Sequence, residues 1–411
     1  MFKKSHKARW AWLLALVAIV PLFAIACAGD DDDDDDEDVT YGTAGFKEVT
    51  IEAGQPIKIG VTSVLSGDLQ GLGLPIAEAA ELAGKGKTIN GHAIEFVRAD
   101  GLCSADGGVA AATQIIQAGV VAAVGPICSG AVIASQPQYE TAGITHISPS
   151  STAVGSTAPD RGAVFQTFLR TTYNDAIQGP VQAEFAYDTL GAKTAYIVHD
   201  TDAYGQGLAE SFSAAFEEAG GEIVGTEGYE KKATDFASIV TNIQNEDPDL
   251  VYMSGFYAEA IPFIKQLRAQ NKDVLFLAGD GVKNDEFTKG AGAEAEGAYL
   301  TLPSPVYESE AYDEFGEAFE AETGGKRDAS PFVAEAYDAV SIILAAIEEV
   351  AEEDGDALVI DLEELNDEIR DSEIDGASGH ISFDARGENT GGETPVSLFV
   401  VKDGAIVAYE A

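Results

Sequence analysis

Between residues 57 and about 350, short apolar runs alternate with longer segments whose apolar positions recur every three to four residues. Segments 57–64, 92–100, 120–127 and 144–148 read as strands. Segments 75–83 and 107–118 between them read as helices, rich in alanine. Runs such as 120–127 are continuously apolar, the pattern of a strand buried on both faces, and helices between such strands imply a parallel sheet. The rhythm then restarts. Strands are predicted at 194–200, 222–229, 250–256 and 274–280, with helices at 205–219, 235–244 and 259–271. Two α/β units in tandem predict two Rossmann-like lobes with a cleft between them. Segments 308–323 and 330–353 follow as amphipathic helices, and 397–401 with 405–409 as a hairpin around Asp403-Gly404.

Before residue 57 the pattern is different. Lys3, Lys4, Lys7 and Arg9 precede an apolar run, 10–26, broken once by Pro21. This is the order of a secretory signal peptide, here 1–26. Phe23-Ala24-Ile25-Ala26-Cys27 resembles a bacterial lipobox, which would make Cys27 the lipidated first residue after cleavage. Ala24 stands where leucine is usual. An unbroken acidic run, Asp30 to Asp38, follows, so 27–54 is expected to be a solvated tether. Read this way, the rest of the chain lies outside the cytoplasm, anchored at the outer face of the membrane by lipid.

Charge narrows the function further. The chain carries 24 basic and 70 acidic residues, a formal net charge of −46. A field of that sign repels nucleic acid and anionic headgroups. Three cysteines are too few for a disulfide-rich scaffold or a four-cysteine zinc site, and five histidines without a close pair give no His-based metal centre. No metal and no cofactor is expected.

Ligands of open α/β sheets sit beyond the carboxyl ends of the strands. Those ends carry Ser66-Gly67, Asp100, Cys128-Ser129, Ser150–Thr152, Asp200, Phe256 and Asp280. They are hydroxyls, carboxylates and apolar covers, with no base, nucleophile or metal cluster among them. Gly71-Leu72-Gly73 lacks the third glycine of a dinucleotide fingerprint, and Pro75 occupies the following turn. Asp200-Thr201-Asp202 begins like a calcium loop, but Tyr204 and Ser211 stand where ligands are needed. No Gly-x-Ser-x-Gly elbow occurs. His199 and Asp200, as strand neighbours, point to opposite faces. An enzyme is therefore not expected.

Seven stretches in order resemble the branched-chain amino acid (Leu/Ile/Val) substrate-binding proteins of ABC importers, of the periplasmic-binding-protein type I fold. They are 57–67, Cys103 with 125–129, 147–152, 169–180, 197–208, 251–259 and 278–282. LRTTYNDAIQGP and IVHDTDAYGQG are the most specific. The resemblance covers nearly all of 55–405. It implies lobes at 55–174 plus 302–378 and 175–301 plus 379–411, joined by a three-strand hinge that closes on the ligand. It also implies permease subunits as partners and a disulfide between Cys103 and Cys128.

For a zwitterionic ligand, the resemblance puts the carboxylate on Ser129, at a helix N-terminus, with Thr152 and the backbone at Ser150. It puts the ammonium on Asp280, where the family usually has Glu, and on Asp175 in a loop of the second lobe. Tyr204 and Phe256 would be cleft aromatics, Phe256 in place of a commoner Tyr, and Leu72 the side-chain cover. Plainer readings exist: Ser129 as an N-cap, Thr152 as a turn hydroxyl, Asp175 as a helix cap, Asp280 as part of an Asp-Gly turn, and Tyr204 as a packing residue. The shorter Asp280, the loss of an aromatic at Leu72 and the serines at 150 and 151 leave the ligand open. An amino acid, branched-chain or otherwise small and apolar, leads. The alternative is a sensor or regulatory binding protein for a small amide, urea or carboxylate.

Without the first 26 residues and the acidic run, the rest of the chain still carries about −41. Self-repulsion of that size is screened by salt. Folding stability is therefore expected to rise with ionic strength in a refolding titration, and stability independent of salt overturns this reading.

Overall fold

The most apolar predicted strands become the centres of two sheets. The computed structural model describes residues 39–157, 164–271, 273–305, 309–392 and 396–410. The signal peptide, Cys27 and the acidic run lie outside the described residues. Val39–Ala411 forms one compact unit.

In the first sheet, β1 (Ile57–Ser63) is flanked by β2 (His92–Asp100) and β3 (Ala122–Val124), followed by β4 (Thr145–Ser148) and β5 (Phe168–Arg170). All five are parallel, and the short strand Thr88–Ile89 adds antiparallel to β2. β1 is buried almost throughout, whereas β2, nearer the edge, alternates. β1 still carries Lys58, half-buried and donating to the Ala118 carbonyl (3.2 Å), so its burial is not written as an unbroken apolar run. β3 is shorter than the run 120–127. The Gly125 N–H still reaches the Ile147 carbonyl (2.7 Å), but Gly125 takes φ +89° and Pro126 has no N–H, so the ladder goes no further.

The helices of this lobe are α1 (Gln70–Gly84), α2 (Ala105–Gln117) and α3 (Ser129–Ala142). α1 starts five residues before the expected 75–83 and takes in Gly71, Leu72 and Gly73. Pro75 therefore lies inside the helix, not in a turn. Gly73 is needed there because a Cβ would lie 2.1 Å from the carbonyl oxygen of Val64.

The second sheet is built from β6 (Thr194–Asp200), β7 (Glu222–Tyr229), β8 (Leu250–Ser254), β9 (Leu275–Ala278), β10 (Tyr299–Leu302) and the hairpin of β11 (Ser397–Lys402) and β12 (Ala405–Ala408). Its order is β12-β11-β10-β9-β8-β6-β7, parallel except for the hairpin. α4 (Asp175–Glu184), α5 (Ala203–Glu218), α6 (Ala237–Glu246), α7 (Tyr257–Gln270) and α8 (Asp285–Ala291) belong to it. Stacked Phe212 and Tyr252, with ring centroids 3.9 Å apart, lie at the centre of its core.

The chain leaves the first sheet after β5 and returns after β10. It then forms α9 (Glu310–Thr323), α10 (Val333–Val350) and α11 (Leu362–Arg370) before entering β11. α10 packs on α1, and α11 against β4, so these helices complete the first lobe. Glu48–Ile51, grouped with the tether from the sequence, is a strand paired with Ala357–Asp361.

Cys103 and Cys128 are bonded to each other. Cys103 precedes Ser104, the cap of α2, and Cys128 stands at the cap position of α3, so the bond fastens the starts of two packed helices. A link over 25 residues restricts the unfolded chain. Reduction, or Cys103→Ser with Cys128→Ser, is expected to cost about 3 kcal/mol, read from the urea midpoint.

Candidate functional site

The carboxyl ends of β3 and β4 deliver a cluster of hydroxyls. Ser129 is the first residue of α3, but Cys128 holds the cap position. The Ser129 hydroxyl instead accepts from the Ala153 N–H (3.2 Å) and from the Ser151 hydroxyl (3.3 Å). It therefore fastens the 149–153 loop to a helix N-terminus. Ser150 donates to the Ile127 carbonyl (2.6 Å), and the Ser151 N–H donates to the Ser148 hydroxyl (3.1 Å). Thr152 is fully buried and its hydroxyl has no protein partner. Its carbonyl accepts from the Asp175 N–H at 2.8 Å, which brings the hydroxyl cluster to the start of α4.

Asp175 is the first residue of α4, not part of a loop. Nor is it the cap: Asn174 takes that role, its Oδ1 accepting from the Ala176 N–H at 2.9 Å. The Asp175 carboxylate is 0% exposed and neither oxygen has a hydrogen-bond partner. Burial pushes its pKa well above the ordinary value, and the charge of Asp280 adds to that. The Thr152 hydroxyl lies near enough to oppose the rise without reaching hydrogen-bond geometry.

Asp280 opens a single 3₁₀ turn, Asp280–Val282, after β9. Its Oδ1 accepts from the Tyr204 hydroxyl at 2.9 Å, and that hydroxyl accepts from the Gly281 N–H at 3.0 Å. Burial pushes the Asp280 carboxyl up to about 6, against the hydrogen bonds of Tyr204 and Gln178. The Tyr204 and Phe256 rings lie 5.2 Å apart. A Cβ at Gly281 would lie 2.4 Å from the Gly255 carbonyl and about 3 Å from both rings, so this approach requires glycine. The structure thus brings Ser129, Ser150, Thr152, Asp175, Tyr204, Phe256 and Asp280 into two adjoining groups, hydroxyls on one side and acids with aromatics on the other. Leu72 is buried in α1, and its carbonyl accepts from the Ser330 hydroxyl (3.3 Å).

Several residues at this meeting of lobes escaped the sequence reading. Lys231 donates to the Cys103 carbonyl and pairs with Asp202. Asp202, in the loop that imitates a calcium site, caps α5 through the Ala203 N–H (2.8 Å). Tyr257 donates to the Asp68 carbonyl (2.8 Å) and Asn284 to the Gly71 carbonyl (3.2 Å). Pro75 explains the second bond. Lacking an N–H, it cannot use the Gly71 carbonyl four residues back, which is left for the other lobe. Only that proline, read as a helix residue, could have signalled it. An open groove of about 590 Å³ between α1 and α7–α8 runs along this rim and contains none of the predicted site residues.

The periplasmic binding protein family profile matches residues 56–405. The chain belongs to the periplasmic binding protein family.

Its relatives in this family narrow the comparison. The leucine-, isoleucine-, valine-, threonine- and alanine-binding protein of Pseudomonas aeruginosa is 29% identical over 351 residues, covering 84% of this chain and 90% of that one. The Leu/Ile/Val-binding protein of Escherichia coli K12 is 28% identical over 345 residues, covering 82% and 89%. Among solved structures, a leucine-binding protein of Thermotoga maritima superposes with a TM-score of 0.77 at 27% identity, covering 86% and 98%. A branched-chain amino acid transporter substrate-binding protein of Streptococcus pneumoniae, in complex with isoleucine, gives 0.76 at 27% identity, with the same coverage. The resemblance read from the seven stretches is borne out. Members of this family bind solutes and are not enzymes.

The buried acids of this periplasmic binding protein carry a pH dependence. Burial pushes Asp200 up to about 7, only partly opposed by the Asp202 N–H on its Oδ1. A carboxyl raised in the folded state binds its proton more tightly there than in the unfolded chain. Its contribution is fully present below the unfolded pKa of about 4 and is lost as pH rises through about 7. The ligand-free protein is therefore expected to melt at progressively lower temperature from pH 4 to 8. Asp200→Asn should give a shallower curve and a higher melting temperature at pH 8, and parallel curves would remove Asp200 from the effect.

Proposed function

We propose that this chain is the extracytoplasmic substrate-binding lipoprotein of an ABC importer, and that it takes a small apolar amino acid, branched-chain in the leading case, between its lobes. The observation that carries the reading is the buried pair Asp175 and Asp280. Two carboxylates shielded from water, one with both oxygens unpartnered, suit an ammonium group that enters with the ligand. Beside them, Thr152 and the backbone at Ser150 supply donors, and Ser129 adds one at the start of a helix, where a carboxylate is stabilised. Tyr204, Phe256 and Leu72 supply apolar surface for the side chain. The names of the relatives point to the same ligand class.

In this reading the lobes are 55–174 with 302–378 and 175–301 with 379–411, and they close about a three-strand hinge. The contacts of Lys231, Tyr257 and Asn284 across the cleft then belong to the closed form. Residues 1–26 are the signal peptide, Cys27 carries the lipid, and the acidic run holds the lobes away from the membrane while the permease subunits receive the ligand.

The test is a thermal-shift screen of the refolded segment 39–411 against amino acids, their amides, urea and small carboxylates, with calorimetry on the hits. Binding to the native state raises the melting temperature. Aliphatic amino acids are expected to bind. A response confined to an amide, urea or a carboxylate would replace the ligand class and favour a sensor. Asp280→Ala should cost more than about 2 kcal/mol in amino acid binding, and unchanged affinity would remove Asp280 from the site.

A further inference from the structure

At the end of β5, behind the loop that carries Ser150 and Thr152, lies a fully buried arginine. Arg170 has five N–H groups, and the fold gives each an acceptor. Nη1 donates to the carbonyls of Ser151 (2.8 Å) and Ala153 (3.0 Å). Nη2 donates to the Thr157 hydroxyl (3.0 Å) and to Glu388 Oε1, and Nε to Glu388 Oε2 (2.8 Å). The pairing with Glu388 is therefore bidentate, the geometry in which arginine and carboxylate interact most strongly.

Glu388 reaches the other half of the site. Its Oε2 also accepts from Asn174 Nδ2 at 2.9 Å, and Asn174 is the residue that caps α4 and sets Asp175. Its chain neighbours bind the same strand end, with the Arg170 N–H on the Gly387 carbonyl (3.0 Å) and Asn389 Nδ2 on the Thr171 carbonyl (2.8 Å). One ion pair thus grips the loop that carries Ser150 and Thr152 through Arg170, and the helix start that carries Asp175 through Glu388.

We infer that Arg170 and Glu388 are positioning residues that set the separation between the hydroxyl cluster and the Asp175 carboxylate, so that both heads of one amino acid are met at once. This rests on the proposed ligand class and deepens it. A ligand with two charged heads gains from the second contact only if the spacing is held. A ligand with one head does not depend on it. Loss of the brace should therefore penalise the amino acid selectively, which a loss of general stability would not do.

The experiment uses the full-length chain and Glu388→Gln, nearly isosteric, with Arg170→Lys as a second variant that keeps the charge and loses the fork. Leucine is compared with 3-methylbutylamine, which lacks its carboxylate, and 4-methylpentanoate, which lacks its amine. In Glu388→Gln, leucine affinity is expected to fall by about tenfold or more, while any binding of the one-headed analogues changes by less than about threefold. Hydrogen exchange of the ligand-free protein is measured alongside. Both segments, 148–157 and 174–178, are expected to exchange faster in either variant. Unchanged exchange in either segment overturns the proposal, as does an equal loss for leucine and the analogues. If the unsubstituted chain binds no leucine, the leading ligand falls and the comparison is repeated with the amino acid the thermal-shift screen selects; faster exchange in both segments still supports the brace, and unchanged exchange overturns it.

Discussion

Negative charge held away from water is the constraint around which the cleft is arranged. Burial raises the cost of ionising both Asp175 and Asp280, and at Asp175 the charge of Asp280 adds to it. Near them the fold places Tyr204, Gln178 and Thr152, which are polar but neutral, and commits the buried Arg170 to Glu388. Under the proposed function, the missing positive charge comes with the ligand, so specificity for an amine and the energetic incentive to close arise from the same pair of carboxylates.

The scaffold makes such a pair tolerable by distributing the structural work elsewhere. Parallel strands bring their carboxyl ends to one edge, so residues far apart in sequence converge without long loops. The hydroxyls of Ser129, Ser148, Ser150 and Ser151 bind backbone or one another and give the 149–153 loop a fixed shape. The disulfide secures the start of α3 from the other side. Glycine at 281 and proline at 75 act through what they lack. The first permits two rings to approach the backbone, and the second leaves a helical carbonyl for the facing lobe.

Much of this architecture was legible in the order of residues, for identifiable reasons. β3 and β8 are buried on both faces and fall within apolar runs, 120–127 and 250–253. α5 and α7 lie within two residues of their expected starts, because each follows a strand directly and carries regular apolar spacing. The error at α1 came from Pro75, taken as the first residue of the helix although a helix tolerates proline one turn in when the freed carbonyl finds another donor. The error at Asp175 was of the same local kind. In Asn174-Asp175 either side chain can cap a helix, and the competition is settled by Glu388, which holds Asn174 from more than two hundred positions away.

The sequence by itself determined the two α/β units, the family, and the residue types offered at the strand ends. Those depend on periodicity and on side-chain chemistry, which are properties of a chain read in order. Tertiary structure alone decided which of those residues meet and what charge surrounds them. The bonds of Lys231 to the Cys103 carbonyl, of Asn284 to the Gly71 carbonyl and of Arg170 to the Ser151 carbonyl all end on backbone atoms. Every residue carries such an atom, so no residue type marks it in advance; only the fold selects which carbonyl is left to be used.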